Sequence, residues 1–182
     1  MKTWIIIALI MLSFTFEIKA QEEENLPHKN YLFLLANHHL EKRATDNYST
    51  SNPDFAISYE RRVFSIGNNQ FLVGLRTGVY NEYVLTGYGW SHPVKTRFFI
   101  GVSPSYAYVF SRHFRLQVNL IVDVLLPDDY DETWSYLAIE PSIQYLFLEH
   151  FYVGISATNG VFIFFDPKAY FAKAGIRIGY SF

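Results

Sequence analysis

The chain has 182 residues, enough for one domain, and half of them are hydrophobic, with 14 Tyr and 17 Phe giving a high aromatic load. A mean hydropathy of only +0.05 excludes a bundle of membrane-spanning helices, and a net charge of −2 carries no basic bias toward nucleic acid. There is no cysteine, which excludes disulfides and thiolate chemistry.

Taken in chain order, MKTWIIIALIMLSFTFEIKA opens with Lys2 and an uncharged run from Trp4 to Phe16. Those 13 residues fall short of the roughly 20 that a spanning helix needs. Ala20 then precedes QEEEN as a small residue at a cleavage point, so 1–20 reads as a secretory signal removed on export. Without it, 13 basic and 16 acidic residues remain, a net of −3. Residues 21–29 form a short polar leader, and the domain proper occupies 30–182.

From there the pattern has period 2 rather than 3.6. The segments are 30–40 (its alternation blurred across YLFLLANHHL), 53–64, 70–80, 95–110, 114–126, 135–147, 151–158 with a possible extension to 164, and 168–182. In 114–126 the even positions Phe114, Leu116, Val118, Leu120, Val122, Val124 and Leu126 are all apolar. The odd positions Arg115, Gln117, Asn119, Ile121, Asp123 and Leu125 are mostly polar or charged. Successive residues of a strand face opposite sides, so each segment has one apolar and one polar face. A soluble sandwich would bury the apolar face. Two features point the other way. The apolar faces run for six or seven alternating positions, close to the 9–11 residues of a strand that crosses a bilayer. The polar faces mix Gly, Ser and Ala with both signs of charge, which suits a cramped interior. Hydrocarbon outside and charge inside is the expectation, and a closed barrel is the sheet that satisfies its backbone in lipid.

The eight segments make an even number, and their connections sort by parity. Those around 64–70, 110–114 and 147–151 are short, whereas EKRATDNYSTSNP, NEYVLTGYGWSHP, LPDDYDETW and NGVFIFFDPK are longer or more polar. Short turns on the periplasmic side and long loops outside would place both termini in the periplasm. The frame PSYAYVFSRHF at 104–114 returns as PSIQYLFLEHF at 141–151, spanning two of the short turns. It reads as a hairpin module met twice at one membrane boundary. Pro104 and Pro141 should interrupt the ladder there, because proline has no N–H to donate.

The expected interior collects Glu60, Arg62, Arg76, Arg97, Arg115, Gln117, Asn119, Asp123, Glu140, Gln144, Lys173 and Arg177. Eight strands leave a bore that side chains fill, and buried charges have to be paired. A salt-bridged structural plug is favoured over a narrow solute pathway. The six cations against three acids place some of them toward the mouths. Tyr106, Tyr108, Phe110, Phe114, Tyr145, Phe147, Phe151, Tyr180 and Phe182 mark one aromatic girdle, and Tyr80, Tyr83, Tyr88, Trp90, Tyr130 and Trp134 the other.

These residues resemble the small eight-stranded outer-membrane barrels, of the OmpX kind and the transmembrane domain of OmpA. The last strand, AYFAKAGIRIGYSF, carries the likeness best. The resemblance implies that Tyr180 and Phe182 are the signal read by the barrel-assembly machinery. It also implies a monomer in the bacterial outer membrane, in contact with lipid and lipopolysaccharide, with no cofactor and no nucleic acid. The favoured role is structural or surface interaction: envelope integrity, adhesion or ligand binding by outer loops. The alternative is lipid A-modifying acyl chemistry of the PagL/PagP kind, with Ser91 and His92 offering the residue types, although neighbouring Ser and His rarely align and a His-x-Ser-Asn run is absent. His38-His39 makes a poor chelate, because adjacent strand residues diverge. The acidic stretch Asp128 to Glu132 lacks the glycine and spacing of an EF-hand. Asn47 opens a sequon without consequence in this compartment.

Overall fold

A computed structural model describes residues 29–43, 53–82, 95–126, 134–163 and 170–182. Eight strands account for nearly all of them: β1 Asn30–Arg43, β2 Asp54–Ile66, β3 Asn69–Glu82, β4 Lys95–Val109, β5 Phe114–Leu125, β6 Trp134–Phe147, β7 Phe151–Phe162 and β8 Tyr170–Ser181. Each pairs antiparallel with its neighbours in chain order, and β8 closes on β1. The fold is therefore a closed, all-antiparallel barrel of eight strands, as expected from the alternation. The first strand reaches Arg43 and the seventh stops at Phe162, which settles the two extents that periodicity left open.

Closure is sealed at the chain's end. Asn30 N donates to Phe182 O at 3.0 Å, and Phe182 N donates back to Asn30 O at 2.9 Å. Register shifts occur between His39 and Glu41 against β8, and between Arg62 and Phe64 against β3. The prolines act as their chemistry demands. Val102 pairs with Val122 and Ser105 with Asn119, while the pairings of Ser103 and Pro104 toward β5 are missing. Likewise Ile139 pairs with Asn159 and Ser142 with Ser156, with Glu140 and Pro141 unpaired toward β7. Register is unchanged across both gaps, so each proline costs a bond without producing a bulge.

The repeated frame now has a structural content. At each short turn two aromatic rings meet: Phe64 and Phe71 at 4.3 Å, Phe110 and Phe114 at 5.5 Å, Phe147 and Phe151 at 5.8 Å. The two histidines extend the ladder into the turn. His113 O accepts from Leu146 N (2.6 Å), and His150 O accepts from Ser181 N (2.8 Å). Their own N–H groups are used inside the turn, on Ser111 Oγ and Leu148 O respectively. The imidazole supplies the reciprocal bond instead: His113 Nδ1 donates to Leu146 O at 3.3 Å and His150 Nδ1 to Ser181 O at 3.0 Å. A carbonyl only accepts, so both rings carry their proton on Nδ1. The β6–β7 turn is tight, with Leu148 and Glu149 at φ of 50° and 60°. The loop is three residues long, closed by the Phe147–Phe151 pair, and two consecutive positive φ values are a conformation that glycine or asparagine adopts at lower cost.

Candidate functional site

Two surfaces of opposite character result. Outward residues are mostly large and apolar, with Phe98, Ile155, Ile100, Leu34 and Ile176 all more than half exposed. Inward residues are mostly small, polar, charged or aromatic, with Leu35, Leu72, Ile121 and Leu125 among them. None of the twelve expected interior residues exceeds 5% exposure.

The centre of the bore is built around Arg177 on β8. Its guanidinium bridges Glu60 of β2 at 2.6 Å and Glu140 of β6 at 3.1 Å, and stacks 4.4 Å from the Phe33 ring. Both carboxylates accept further bonds. Gln117 donates to Glu60 (2.8 Å), while Asn119 and Thr158 donate to Glu140 (2.9 and 3.1 Å). Gln144 donates to Gln117 Oε1 at 3.0 Å and extends the same lattice. Toward the end bearing the long connections, Arg76 meets Asp123 at 3.2 Å and Glu140 at 4.0 Å, and Tyr136 donates its hydroxyl to Asp123. Arg115 lies 4.0 Å from Glu60 and 4.5 Å from the Tyr31 ring. Arg62 and Arg97 are buried as well, and both carry interactions of their own.

Lys173 completes the set through a residue that sequence reasoning passed over. Its ammonium contacts Asp54 at 2.5 Å, with both side chains buried. Asp54 shares the inward parity of Ala56, Ser58, Glu60 and Arg62, so the alternation contained the signal. With it the described bore holds six cations against four acids.

Aromatic rings cap the charged centre at both ends. Tyr31, Phe33 and Tyr152 cluster toward the short turns. Tyr80, Tyr136, Phe162 and Phe171 cluster toward the other end, and Lys173 Nζ stands 4.5 Å from Tyr80 and 4.8 Å from Phe171. Tyr80 was expected in an outer girdle; it is fully buried in the bore instead, because it shares the even parity of Gln70, Leu72 and Arg76. Inward glycines make the crowding possible. A Cβ on Gly101 would fall 1.8 Å from Asp123 Oδ1, and one on Gly179 2.3 Å from Phe33 Cδ1.

All nine residues expected in the girdle near the short turns face outward. Phe151 packs on Tyr180 at 5.0 Å, Tyr180 on Phe182 at 6.2 Å, and Phe71 on Tyr106 at 5.3 Å. His38 points outward; the side chain of His39 lies outside the described residues, as does that of Trp134. Also outside them are residues 1–28, Asn47, Tyr83, Tyr88, Trp90, Ser91, His92 and the stretch Asp128 to Glu132. Among the described residues no group of three or more His, Asp or Glu is placed to hold a metal ion.

No protein-family model and no curated protein matches the chain. Solved structures do. The N-terminal barrel domain of Pseudomonas aeruginosa OprF superposes with a TM-score of 0.55 at 13% identity, covering 85% of this chain and 98% of that one. Ail, the attachment invasion locus protein of Yersinia pestis, solved with the heparin analogue sucrose octasulfate, gives 0.55 at 8% identity, with 86% and 100% covered. Neisserial surface protein A gives 0.50 at 10% identity, with 84% and 97% covered. At such identities the likeness is one of fold, and it extends over almost the whole of each relative. The chain has the closed eight-stranded barrel fold of small outer-membrane proteins.

Proposed function

We propose that this chain is an integral protein of a bacterial outer membrane, with a bore that is a structural plug and with surface interactions carried by its long connections. One observation supports the reading above the rest. The barrel is inside out relative to a soluble protein, with Leu, Ile, Val and Phe covering its outer wall and six cations and four acids within. A soluble barrel would expose that apolar wall to water, at about 25 cal/mol per Å². In a bilayer the same wall is in its preferred solvent, and the closed sheet pairs its strands all round, apart from the gaps at Pro104 and Pro141.

On this reading residues 1–20 are a cleaved export signal, the three short turns are periplasmic, and Tyr180 and Phe182 present the C-terminal strand to the assembly machinery. The charged lattice, with aromatic layers above and below, stiffens the wall and blocks solute flow. The surface role is supported by analogy with Ail, which is named for attachment and invasion. Cell fractionation with a gel of boiled and unboiled samples tests the location: the expected result is a membrane-bound, heat-modifiable band, and a soluble periplasmic protein would overturn the reading. In planar bilayers the folded protein should give no steady large conductance; a stable open channel would refute the plug.

A further inference from the structure

Most polar side chains on the outer wall have an internal partner. Thr77 donates to Phe99 O at 2.8 Å, Asn81 donates to Pro53 O and accepts from Thr96, and Tyr59 donates to Asn30. Asn159 on β7 and His38 on β1 differ: both are exposed on the outward face, and among the described residues neither side chain has a hydrogen-bond or ion-pair partner. Asn159 stands between apolar neighbours, with Ile155 (64% exposed) below it, Val161 (44%) above it and Ile139 (54%) beside it. It lies eight residues along β7 from Phe151 of the lower girdle. At about 3.3 Å per residue and a tilt of about 40°, that is about 20 Å up a hydrocarbon band about 25 Å tall. An amide without a partner at that depth is costly, so it needs one from outside the chain.

The wall between the two polar groups is low. Asn159 pairs with Ala172, Ala157 with Ala174, Ala174 with His38, and Ile176 with Ala36. Four alanines thus form a shallow floor across β7, β8 and β1, with the exposed Ile139, Ile155 and Ile176 as its banks.

We propose that Asn159 and His38 hold the chain roots of one outer-leaflet lipid, through the ester, amide or hydroxyl groups where its acyl chains begin, with a chain lying on the alanine floor. This rests on the reading that the wall faces a bilayer. A lipid fits better than a second copy of the chain. At about 4.8 Å between strands and about 3.3 Å per residue, a floor of four alanines on three strands measures about 10 Å each way, far short of the roughly 800 Å² per partner that a stable dimer buries. The depth of Asn159 also matches the level at which polar chain roots meet hydrocarbon.

The test uses the full barrel folded into vesicles of lipid A and diester phosphatidylcholine, and in parallel into diether phosphatidylcholine, which lacks chain-root carbonyls. Asn159→Leu and His38→Leu replace both groups by residues typical of the wall. Wild type should carry lipid through detergent extraction into native mass spectrometry, and the double variant should retain it roughly fivefold less per lost hydrogen bond. Retention of lipid A, of diester lipid or of both identifies the source of the polar group. Solution spectra should show contacts between the Asn159 side-chain amide and lipid protons. Equal retention by wild type and variant, or variant-sensitive dimers in place of lipid adducts, overturns the proposal. A barrel that fails to insert into either vesicle refutes the bilayer reading itself.

Discussion

Replacing Arg177 by methionine is the sharpest probe of what the bore does. Methionine keeps an unbranched side chain against Phe33 but removes the charge between Glu60 and Glu140, which contact the guanidinium at 2.6 and 3.1 Å. Both acids are fully buried, so they lose their closest counter-ion without gaining water. Removing one member of a buried pair typically costs about 3–5 kcal/mol. Two effects pull toward the lower end. Arg115 and Arg76 remain 4.0 Å from Glu60 and Glu140 respectively, and Gln117, Asn119 and Thr158 still donate to their oxygens. A loss of about 3 kcal/mol is expected. It would be read from urea unfolding of the barrel in vesicles, followed by the mobility of unboiled samples on a gel. The double variant R177M/E140Q should recover part of that loss, because Arg115 still faces Glu60 and Arg76 still meets Asp123. If R177M alone shifts stability by less than about 1 kcal/mol, the central bridge does not hold the barrel together and the plug argument fails.

Four further outcomes follow from the same contacts. Gly101→Ala drives a methyl into Asp123 and lies 2.6 Å from Val122 O, and should cost about 2–3 kcal/mol in the same unfolding assay. Tyr136→Phe removes the hydroxyl that donates to Asp123 and should cost about 1–2 kcal/mol, less than R177M, because Arg76 still engages that carboxylate. In the β6–β7 turn, Leu148→Asn with Glu149→Gly should raise stability by about 1 kcal/mol, since both positions hold positive φ; an unchanged unfolding midpoint would count against strain there. Deleting Phe182 removes the reciprocal backbone bonds to Asn30 and the end of the girdle, so folded protein in isolated membranes should fall; a wild-type level would show that closure does not need it.

Much of this architecture is local, and so it was legible from the residues alone. Successive side chains of an extended chain face opposite sides, so the run from Phe114 to Leu126 declares its two faces wherever it finally sits. The same rule places Arg115, Gln117, Asn119 and Asp123 inward, and short turns at Gly67, Ser111 and Leu148 follow from where alternation breaks. Where residue type was allowed to override parity, the reading went astray. Tyr80 looked like a girdle residue because it is a tyrosine at a strand end, although its even position already pointed inward. Asp54 lies at the very edge of its segment, where type and parity agree but the alternation has only just begun.

What only the tertiary structure decided is who meets whom. Arg177 reaches Glu60 across 117 residues of chain, and Lys173 reaches Asp54 across 119. Those partners depend on closure of β8 on β1 and on the stagger of each strand, which set the height of every side chain in the bore. Period-2 alternation fixes a side but contains no information about height. Neither does it show that the gaps at Pro104 and Pro141 leave the register intact, or that Asn159 and His38 share one alanine floor. Those are properties of eight strands closed into a ring, and no single strand carries them.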